Sequence, residues 1–378
     1  MQDGAMDIEQ FLDTACGLLA IPSTADRPDD LYRALAFVLD FVGPEFTVEQ
    51  FESGGKPSAL LYRATERPPR FRIILNGHLD VVPASTSQFR PRLDGARLYA
   101  RGAQDMKVSA LVEAQVFREL AAIVPYPLAL QLVTDEEVGG RDGTLHQIEQ
   151  GVTGEFVIIG EFSGLRLATD SKGMITATLR AVGRTGHSAY QWQGDNALVK
   201  LEHSLTRLLT AYPIATEEAW RTTVNVARIE TPNQARNQIP ALAEAWLDIR
   251  FPPEDTNLNG KSVEQLTAYL ASFCEPGVSP VIDHADPPHH ADRYRPEMRA
   301  LRQAVRGQGY GADFLRKHGA ADGRFYYQRG IDAVIFGVGG DGLHGSDEYV
   351  DTMTIGPYYQ ALREFLLQPE GHEQAPAG

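Results

Sequence analysis

The feature that most restricts the fold of this 378-residue chain is an alternation of short apolar runs with helical periodicity. Apolar runs of strand length occur at residues 73–75, 128–133, 156–159 and 333–338. A helix with an apolar stripe is predicted from about Met106, between the first two runs. Strands that alternate with helices in this way form a parallel or mixed sheet that is covered on both faces. We therefore predict an α/β fold with a mixed central sheet flanked by helices.

The pattern changes in the middle of the chain, where apolar and polar residues alternate as in a sheet with one exposed face. Strands are predicted there at residues 174–182, 222–229, 242–251 and 278–283, and helices at residues 196–212 and 262–273. This β-α-β-β-α-β order is typical of a ferredoxin-like α+β unit. We therefore predict a discontinuous domain of residues 1–172 and 287–378, which a second domain of residues 173–286 interrupts.

Charge and cysteine content exclude several classes of partner. The chain has 50 acidic and 35 basic side chains and a formal charge of -15, whereas nucleic acids and anionic membranes select basic surfaces. Cys16 and Cys274 are too few for a disulfide framework or a cysteine zinc site, which favours a reducing compartment. The start of the chain lacks the pattern of a secretory signal, and no apolar run approaches the roughly 20 residues of a membrane helix. We therefore expect a cytoplasmic protein that binds neither nucleic acid nor a membrane, and a frayed end at residues 369–378.

A histidine and a carboxylate follow the first predicted strand. In the string Gly-His-Leu-Asp-Val-Val-Pro, His78 and Asp80 are two residues apart, so their side chains lie on the same side of an extended chain. A carboxylate in that position can fix the orientation of a metal-ligating imidazole. By itself, this spacing is more typical of an ordinary loop start. A metal site would require further ligands.

Further candidate ligands begin the predicted helix or follow the other predicted strands. They are Asp105, Glu136, Glu137, Glu161 and His344. Each has an ordinary alternative, namely a helix cap for Asp105, a solvated surface for the glutamates and a loop position for His344. Because ligands of open α/β sheets bind outside the carboxyl ends of the strands, we expect these side chains to share one edge. Two histidines with three or four carboxylates are typical of a two-metal hydrolytic site.

Five ordered motifs resemble the ligand motifs of the ArgE/DapE/carboxypeptidase-G metallopeptidase family. They are GHLDVVP, RGAQDMK, TDEEVGG, IGEFSG and LHGSDEYV, and the resemblance extends from about residue 8 to residue 367. It implies a co-catalytic metallohydrolase with a zinc-peptidase-like catalytic domain at residues 1–172 and 287–378. Residues 173–286 would then be a lid and dimerisation domain, through which we expect a homodimer.

The resemblance also implies roles for the candidate ligands. His78 and Glu161 correspond to the terminal ligands of one metal ion, and Glu137 and His344 to those of a second. Asp105 corresponds to the carboxylate that bridges both ions. The expected cofactors are two divalent ions, namely Zn²⁺, with Co²⁺ or Mn²⁺ as alternatives.

The implied reaction is hydrolysis of an amide bond. Asp80 corresponds to the partner that orients His78, and Glu136 to a general base that acts on a hydroxide shared by the two ions. The expected substrate is an N-acyl amino acid, as in a deacetylase or desuccinylase, and the alternative is a di-zinc dipeptidase or carboxypeptidase. A catalytically silent binding protein of the same fold is a further alternative. Loss of a ligand or of the base would mark it, and neither is lost here.

Four more residues are candidate substrate contacts. His187, in Gly-Arg-Thr-Gly-His-Ser-Ala-Tyr, resembles the lid histidine that reaches the scissile carbonyl, often across a dimer interface, where a donor stabilises the oxyanion. Asn237 and Arg250 resemble residues that hold the substrate carboxylate, a task suited to the arginine fork. Arg324 lies in Asp-Gly-Arg-Phe, which resembles a stretch of succinyl-diaminopimelate desuccinylases, and it is a second candidate anion contact.

Overall fold

The computed structural model of the protein describes residues 6–368, so the fraying expected for residues 369–378 falls outside it. The helices of the described chain are α1 Ile8–Leu19, α2 Pro28–Val42, α3 Lys107–Leu120, α4 His146–Glu149, α5 Ala197–Ala211, α6 Val263–Ala271, α7 Pro296–Gly307, α8 Gly323–Gln328 and α9 Ile355–Leu367. None of these helices combines the length and the apolar character that crossing a membrane requires.

The strands of the described chain are mostly short. They are β1 Thr47–Ser53, β2 Lys56–Tyr62, β3 Phe71–His78, β4 Arg92–Asp94, β5 Arg97–Tyr99, β6 Leu128–Val133, β7 Gly154–Ile159, β8 Leu167–Ser171, β9 Gly173–Val182, β10 Thr223–Glu230, β11 Leu242–Phe251, β12 Val278–Asp286, β13 His289–His290, β14 Phe314–Lys317, β15 Asp332–Ile335, β16 Gly340–Asp341 and β17 Tyr349–Asp351. β16, β17, β5 and β4 form a small antiparallel sheet of their own.

The contacts between residues divide the protein into two compact units. The first comprises the described chain up to Thr169, His290–Arg316 and the described chain from Ala321 onward. The second comprises Asp170–His289 together with Lys317–Ala320. The sequence pattern does not indicate that this last segment joins the second unit.

A mixed sheet forms the centre of the first unit. Its strand order is β1-β2-β6-β3-β7-β15-β8-β13, with β14 paired to β8. β6, β3, β7 and β15 are parallel neighbours, whereas β1 with β2, β2 with β6, and β15 with β8 are antiparallel. The predicted α/β fold with a mixed central sheet is therefore confirmed.

Helices cover both faces of this sheet because its central strands are apolar on both sides. Ile73 and Leu75 of β3 pack in a core with residues of α1, α2, α3, α7 and α9. Ile74 packs in a second core with residues of α4 and α8. Successive side chains of a strand point to opposite faces, so an unbroken apolar run of this kind requires cover on both.

The last strand of the predicted set ends earlier than the apolar run at residues 333–338. After β15 the backbone pairs instead with the loop that follows β7, where Leu165 N donates to the carbonyl oxygen of Gly337 over 3.1 Å. A Cβ atom on Gly337 would lie 2.4 Å from the carbonyl oxygen of Gly160. Only glycine permits so close an approach of two backbones. This packing holds the loop that carries Glu161.

The second unit contains a four-stranded antiparallel sheet of order β10-β11-β9-β12. With α5 after β9 and α6 after β11, the chain order is β-α-β-β-α-β, and the predicted ferredoxin-like topology is confirmed. One face of the sheet packs on α5 and α6 in a single core. The other face includes the exposed side chains of Val182, Leu242 and Trp246.

Candidate metal centre

The carboxyl ends of three adjacent parallel strands meet at one edge of the central sheet. β3 ends at His78, which is in register with the last residue of β6. β7 ends two residues before Glu161, and Glu136 and Glu137 lie in the turn that follows β6. Parallel strands bring the loops that follow them to the same edge, so all four side chains lie there.

His78 is buried and contacts two carboxylates. Its Nε2 atom lies 2.9 Å from Asp105 Oδ1 and 3.2 Å from Glu161 Oε1. Burial disfavours the imidazolium, but hydrogen bonds to Asp105, Asp80 and Glu161 outweigh burial and raise the pKa of His78 well above its usual value. One nitrogen and two oxygens thus converge, as the ligands of a cation would.

His344 forms a second group of the same composition. Its Nε2 atom lies 3.2 Å from Glu137 Oε2 and 3.5 Å from Asp105 Oδ2. Hydrogen bonds to Asp105 and Glu137 raise the pKa of His344 to about 10. Because a ligating imidazole is neutral, metal binding here would release that proton. The side chain of His344 is 48% exposed, whereas that of His78 is 2% exposed.

Asp105 directs one carboxylate oxygen to each histidine. Its Oδ1 faces His78 and its Oδ2 faces His344. Asp105 lies one residue before Met106, which occupies the N-cap position of α3. A carboxylate placed between two histidine groups in this way can be shared by two cations.

Asp80 joins the strand β3 to the turn of Glu136 and Glu137, called the glutamate turn below. The closest contact of His78 Nδ1 is with the backbone carbonyl oxygen of Asp80, at 3.1 Å, and the side-chain Oδ1 lies 3.5 Å away. The Asp80 carboxylate accepts hydrogen bonds from the backbone N–H groups of Glu136 and Glu137, at 3.2 Å and 3.0 Å. Sequence spacing gives no sign of this second contact. Asp80 therefore positions both glutamates as well as the histidine.

Glu136 lies closer to the His78 group than the sequence indicates. The donor atoms of His78, Glu136 and Glu161 all lie within 4.8 Å of one another, as do those of His78, Asp105 and Glu137. Burial and the neighbouring charge of Glu161 raise the pKa of Glu136 well above its usual value. The distances allow Glu136 to act either as a ligand or as a base beside the ligands, and its role as a base remains a prediction.

The donor set fits divalent metal ions. Imidazole nitrogens and carboxylate oxygens are ligands that Zn²⁺ accepts. Four carboxylates contribute to the two groups, namely Asp105, Glu136, Glu137 and Glu161. Burial and the neighbouring charge of Asp105 disfavour the ionised form of Glu137 and raise its pKa. Two divalent cations would compensate this concentration of negative charge.

In the second unit, the structure brings the segments of His187 and Asn237 together. Ser188 N donates to the carbonyl oxygen of Asn237 over 3.0 Å. The side chains of His187 and Asn237 are exposed. Ala189 N donates to His187 Nδ1 over 3.1 Å. This hydrogen bond assigns the acceptor role to Nδ1 and leaves Nε2 as the donor of a neutral imidazole.

Arg250 lies away from the segments of His187 and Asn237. It pairs in register with Met174 near the end of β11, whereas Asn237 precedes the start of the same strand. The guanidinium is bidentate with Asp248, at 2.6 Å and 2.9 Å. Nine or more residues of extended chain span about 30 Å. Arg250 and the segments of His187 and Asn237 therefore lie toward opposite ends of β11.

Arg324 lies in the first unit and is 4% exposed. Its Nη2 donates to the carbonyl oxygen of Gly139 over 2.7 Å, two residues after Glu137. The guanidinium thus supports the glutamate turn, and its contact with a substrate anion remains a prediction.

A comparison with protein families identifies the chain. Residues 74–368 match the family described as Peptidase family M20/M25/M40. The protein belongs to the M20/M25/M40 peptidase family. Members of this family are metallopeptidases, and the predicted family and class of enzyme are confirmed. The M20 protein is accordingly a metallohydrolase that acts on amide or peptide bonds, and it binds divalent metal.

Relatives of this M20 protein include succinyl-diaminopimelate desuccinylases and a probable carboxypeptidase. It is 27% identical to the succinyl-diaminopimelate desuccinylase of Xylella fastidiosa over 390 aligned residues, which cover 95% of this chain and 99% of the relative. It is 29% identical to a probable carboxypeptidase of Emericella nidulans over 65% of this chain and 63% of the relative. Among solved structures, the aminopeptidase PepT of Bacillus cereus has a TM-score of 0.76 and 15% identity, with 96% of this chain and 99% of that chain covered. That likeness concerns the fold alone.

Sequence reasoning assigned no role to Asp135, which directly precedes the glutamate pair. It is buried, and its Oδ2 accepts a hydrogen bond from Asp142 N over 2.6 Å. Burial and the charge of Asp322 raise the pKa of Asp135 to about 7. The run of three acidic residues in Thr-Asp-Glu-Glu was the signal that could have pointed to it.

Proposed function

We propose that the M20 protein is an N-acyl amino acid deacylase with two zinc ions. The observation that carries this proposal is the placement of Asp105, with one carboxylate oxygen 2.9 Å from His78 and the other 3.5 Å from His344. His78 and Glu161 would hold one ion, and Glu137 and His344 the other. When bound, two such ions polarise an amide carbonyl and lower the pKa of water, so that a nucleophile is available at neutral pH.

Glu136 would move the protons. It lies beside the donor atoms of His78 and Glu161, and Asp80 fixes the backbone of the turn that carries it. From this position its carboxylate would accept a proton from the attacking water and return it to the leaving amine. One carboxylate beside both the attacking water and the leaving amine can carry the proton from the first to the second.

His187 would stabilise the oxyanion by donating from Nε2, since Nδ1 already accepts the hydrogen bond of Ala189. Its distance from Arg250 along the sheet supports a homodimer, in which Arg250 of one chain and the partner's His187 would serve one site. The exposed apolar side chains of Val182, Leu242 and Trp246 give the second unit a surface that a second copy could cover. Sedimentation that shows a fully active monomer would refute the dimer.

The substrate would be an N-acyl amino acid that carries an extra negative charge. Asn237, Arg250 and Arg324 are the proposed contacts of its carboxylates. Support comes from the desuccinylases, which align with this M20 protein over 95% of its length. The two free cysteines, Cys16 and Cys274, support a reducing, cytoplasmic location.

A substrate panel tests this proposal. The zinc-loaded protein is offered N-acetyl, N-succinyl and N-formyl amino acids beside dipeptides, and the release of free amine is measured. We expect the highest kcat/KM on one of the acylated amino acids, because of the charged contacts above. Faster turnover of dipeptides would favour the dipeptidase alternative, and no turnover of any compound by a protein that holds two zinc ions would favour the silent binding protein.

A further inference from the structure

We infer that a buried ion pair, Arg101 with Glu348, positions Asp105 and His344 as ligands of one of the two metal ions. Both side chains of the pair are nearly inaccessible, at 3% and 1% exposure. They join two loops that are 247 residues apart in the sequence. No role was assigned to either residue from the sequence. The inference deepens the proposed two-metal function and rests on it.

Glu348 holds the loop of Asp105. Its Oε1 accepts hydrogen bonds from the backbone N–H groups of Gln104 and Asp105, at 3.1 Å and 3.3 Å. Its Oε2 accepts from Arg101 Nη1. Charge-assisted hydrogen bonds from two consecutive backbone N–H groups to one carboxylate fix the direction of that backbone. The Asp105 carboxylate is attached directly to the backbone segment that Glu348 holds.

Arg101 holds the loop of His344. Its Nη2 donates to the carbonyl oxygens of His344 and Gly345, at 2.9 Å and 3.0 Å. His344 has a φ of 58°, in the left-handed region that non-glycine residues seldom adopt. Its side chain is half exposed, so packing restrains it little. The hold of Arg101 on its carbonyl oxygen is therefore what keeps the imidazole directed at Asp105 and Glu137.

The two metal groups depend on this pair to different extents. His78 is the last residue of β3, and Glu161 lies two residues beyond β7, so the sheet itself places them. His344 belongs to no helix or strand. Loss of the pair should therefore weaken the group of Asp105, Glu137 and His344 most. The group of His78 and Glu161 should be affected less, because it shares only Asp105 with the loops that the pair joins.

The chain offers a matched control in Glu297. This carboxylate is 2% exposed and contacts two arginines, Arg72 at 2.7 Å and Arg295 at 3.1 Å. It lies in α7 of the same unit and is not among the donors of the metal groups. Glu297→Gln disturbs a buried ion pair of the same kind at a different place. Glu348→Gln is the corresponding change in the proposed positioning pair.

The experiment is a titration of the metal-free protein with Co²⁺, followed by the visible absorption of the bound ion and by calorimetry. We expect Glu348→Gln to bind the second equivalent at least about 10-fold more weakly, as for other residues that orient ligands. Binding of the first equivalent should weaken less, because the sheet places His78 and Glu161. The spectrum of the second equivalent should change as well. Glu297→Gln should bind both equivalents normally, even where thermal unfolding shows a comparable loss of stability.

Two results would overturn the inference. One is normal binding of both equivalents by Glu348→Gln. The other is equal weakening in Glu348→Gln and Glu297→Gln, which would show that the pair of Arg101 and Glu348 contributes only to the stability of the fold. If Glu348→Gln does not fold, Arg101→Lys decides the matter, because one ammonium group keeps the charge but cannot hold Glu348 and both carbonyl oxygens. We expect about 10-fold weaker binding of the second equivalent there too.

The same titration separates this inference from the two-metal proposal. Binding of a single equivalent by the unaltered protein would refute two ions directly. Asp105 contributes to both groups, so the positioning role would still predict weaker binding of that one equivalent by Glu348→Gln than by the unaltered protein. Equal affinity would then overturn it.

Discussion

The metal-binding edge of the first unit and the His187 segment of the second are built in opposite ways. At the edge, His78, Asp105 and Glu161 are buried and each contacts another member of the group. In the second unit His187 and Asn237 are exposed, and hydrogen bonds of the backbone hold their segments. The candidate metal ligands lie on or beside the ends of sheet strands and contact one another, whereas His187 and Asn237 lie on exposed loop segments.

This difference predicts what each kind of substitution should disturb. Changes at the edge should alter rate or metal affinity together with the stability of the first unit. Changes in the exposed segment should alter rate or substrate affinity and leave metal content and thermal unfolding as they are. The four predictions that follow test this contrast.

The largest effect is expected for Glu136→Gln. An amide cannot accept the proton, so kcat should fall by about 10² to 10⁴-fold, while the content of bound zinc stays at two ions per chain. Turnover with a saturating substrate and metal analysis of the same sample measure both quantities. Glu149→Gln, an exposed change in the same unit, is the control. Loss of zinc in Glu136→Gln would show instead that Glu136 is a ligand, which its distances allow.

His187→Ala should reduce kcat by about 10² to 10³-fold, as expected for the removal of one oxyanion donor. Because the side chain is exposed, the midpoint of thermal unfolding and the zinc content should not change. His203→Ala, which removes another exposed histidine of the second unit, serves as the control. A loss of bound zinc in His187→Ala would erase the distinction between the two regions.

Asp80→Ala should reduce kcat by about 10 to 100-fold, because the N–H groups of Glu136 and Glu137 lose their acceptor. Both zinc ions should remain bound, although more weakly. Asp80→Asn keeps one carbonyl oxygen and should fall between Asp80→Ala and the unaltered protein. If the two variants lose one ion completely, the main task of Asp80 is to orient His78.

The smallest effect is expected for Arg250→Ala. The loss of one charged contact with the substrate should raise KM by about 10-fold, with little change in kcat. Asp248→Asn is the matched control, because it releases the guanidinium from its present partner without removing it. KM of this control should stay the same or fall. An unchanged KM in Arg250→Ala would remove Arg250 from the proposed substrate contacts.

The parts of the fold that the sequence predicted well are those with strong periodicity. β11 has the limits predicted for it, residues 242–251, because apolar and polar residues alternate along its whole length. β15 is shorter than the apolar run at residues 333–338, since burial beside a loop and burial in a strand select the same residues. The small sheet that contains β4 and β5 was missed because its strands are short and largely exposed.

The candidate site shows the same limit. Residue type and position at strand ends or a helix start selected His78, Asp105, Glu136, Glu137, Glu161 and His344 as candidates, and the family resemblance chose five of them as ligands. The structure brings those five together. Contacts with backbone atoms could not be read in this way. Asp80 accepts a hydrogen bond from the backbone of Glu137, and Arg101 donates one to the carbonyl oxygen of His344. Both contacts depend on how loops pack against each other. Sequence spacing contains no record of such contacts.

The interruption of the first unit has a consequence for biosynthesis. His344 and β15 both follow the second unit in the chain, and β15 lies between β7 and β8 within the sheet. On the ribosome, a nascent chain that ends before residue 332 therefore has a gap in the middle of its sheet and one histidine too few for the second group. If both groups bind metal as proposed, the second can be loaded only after His344 has been synthesised, so a chelator that acts before that point should not affect it.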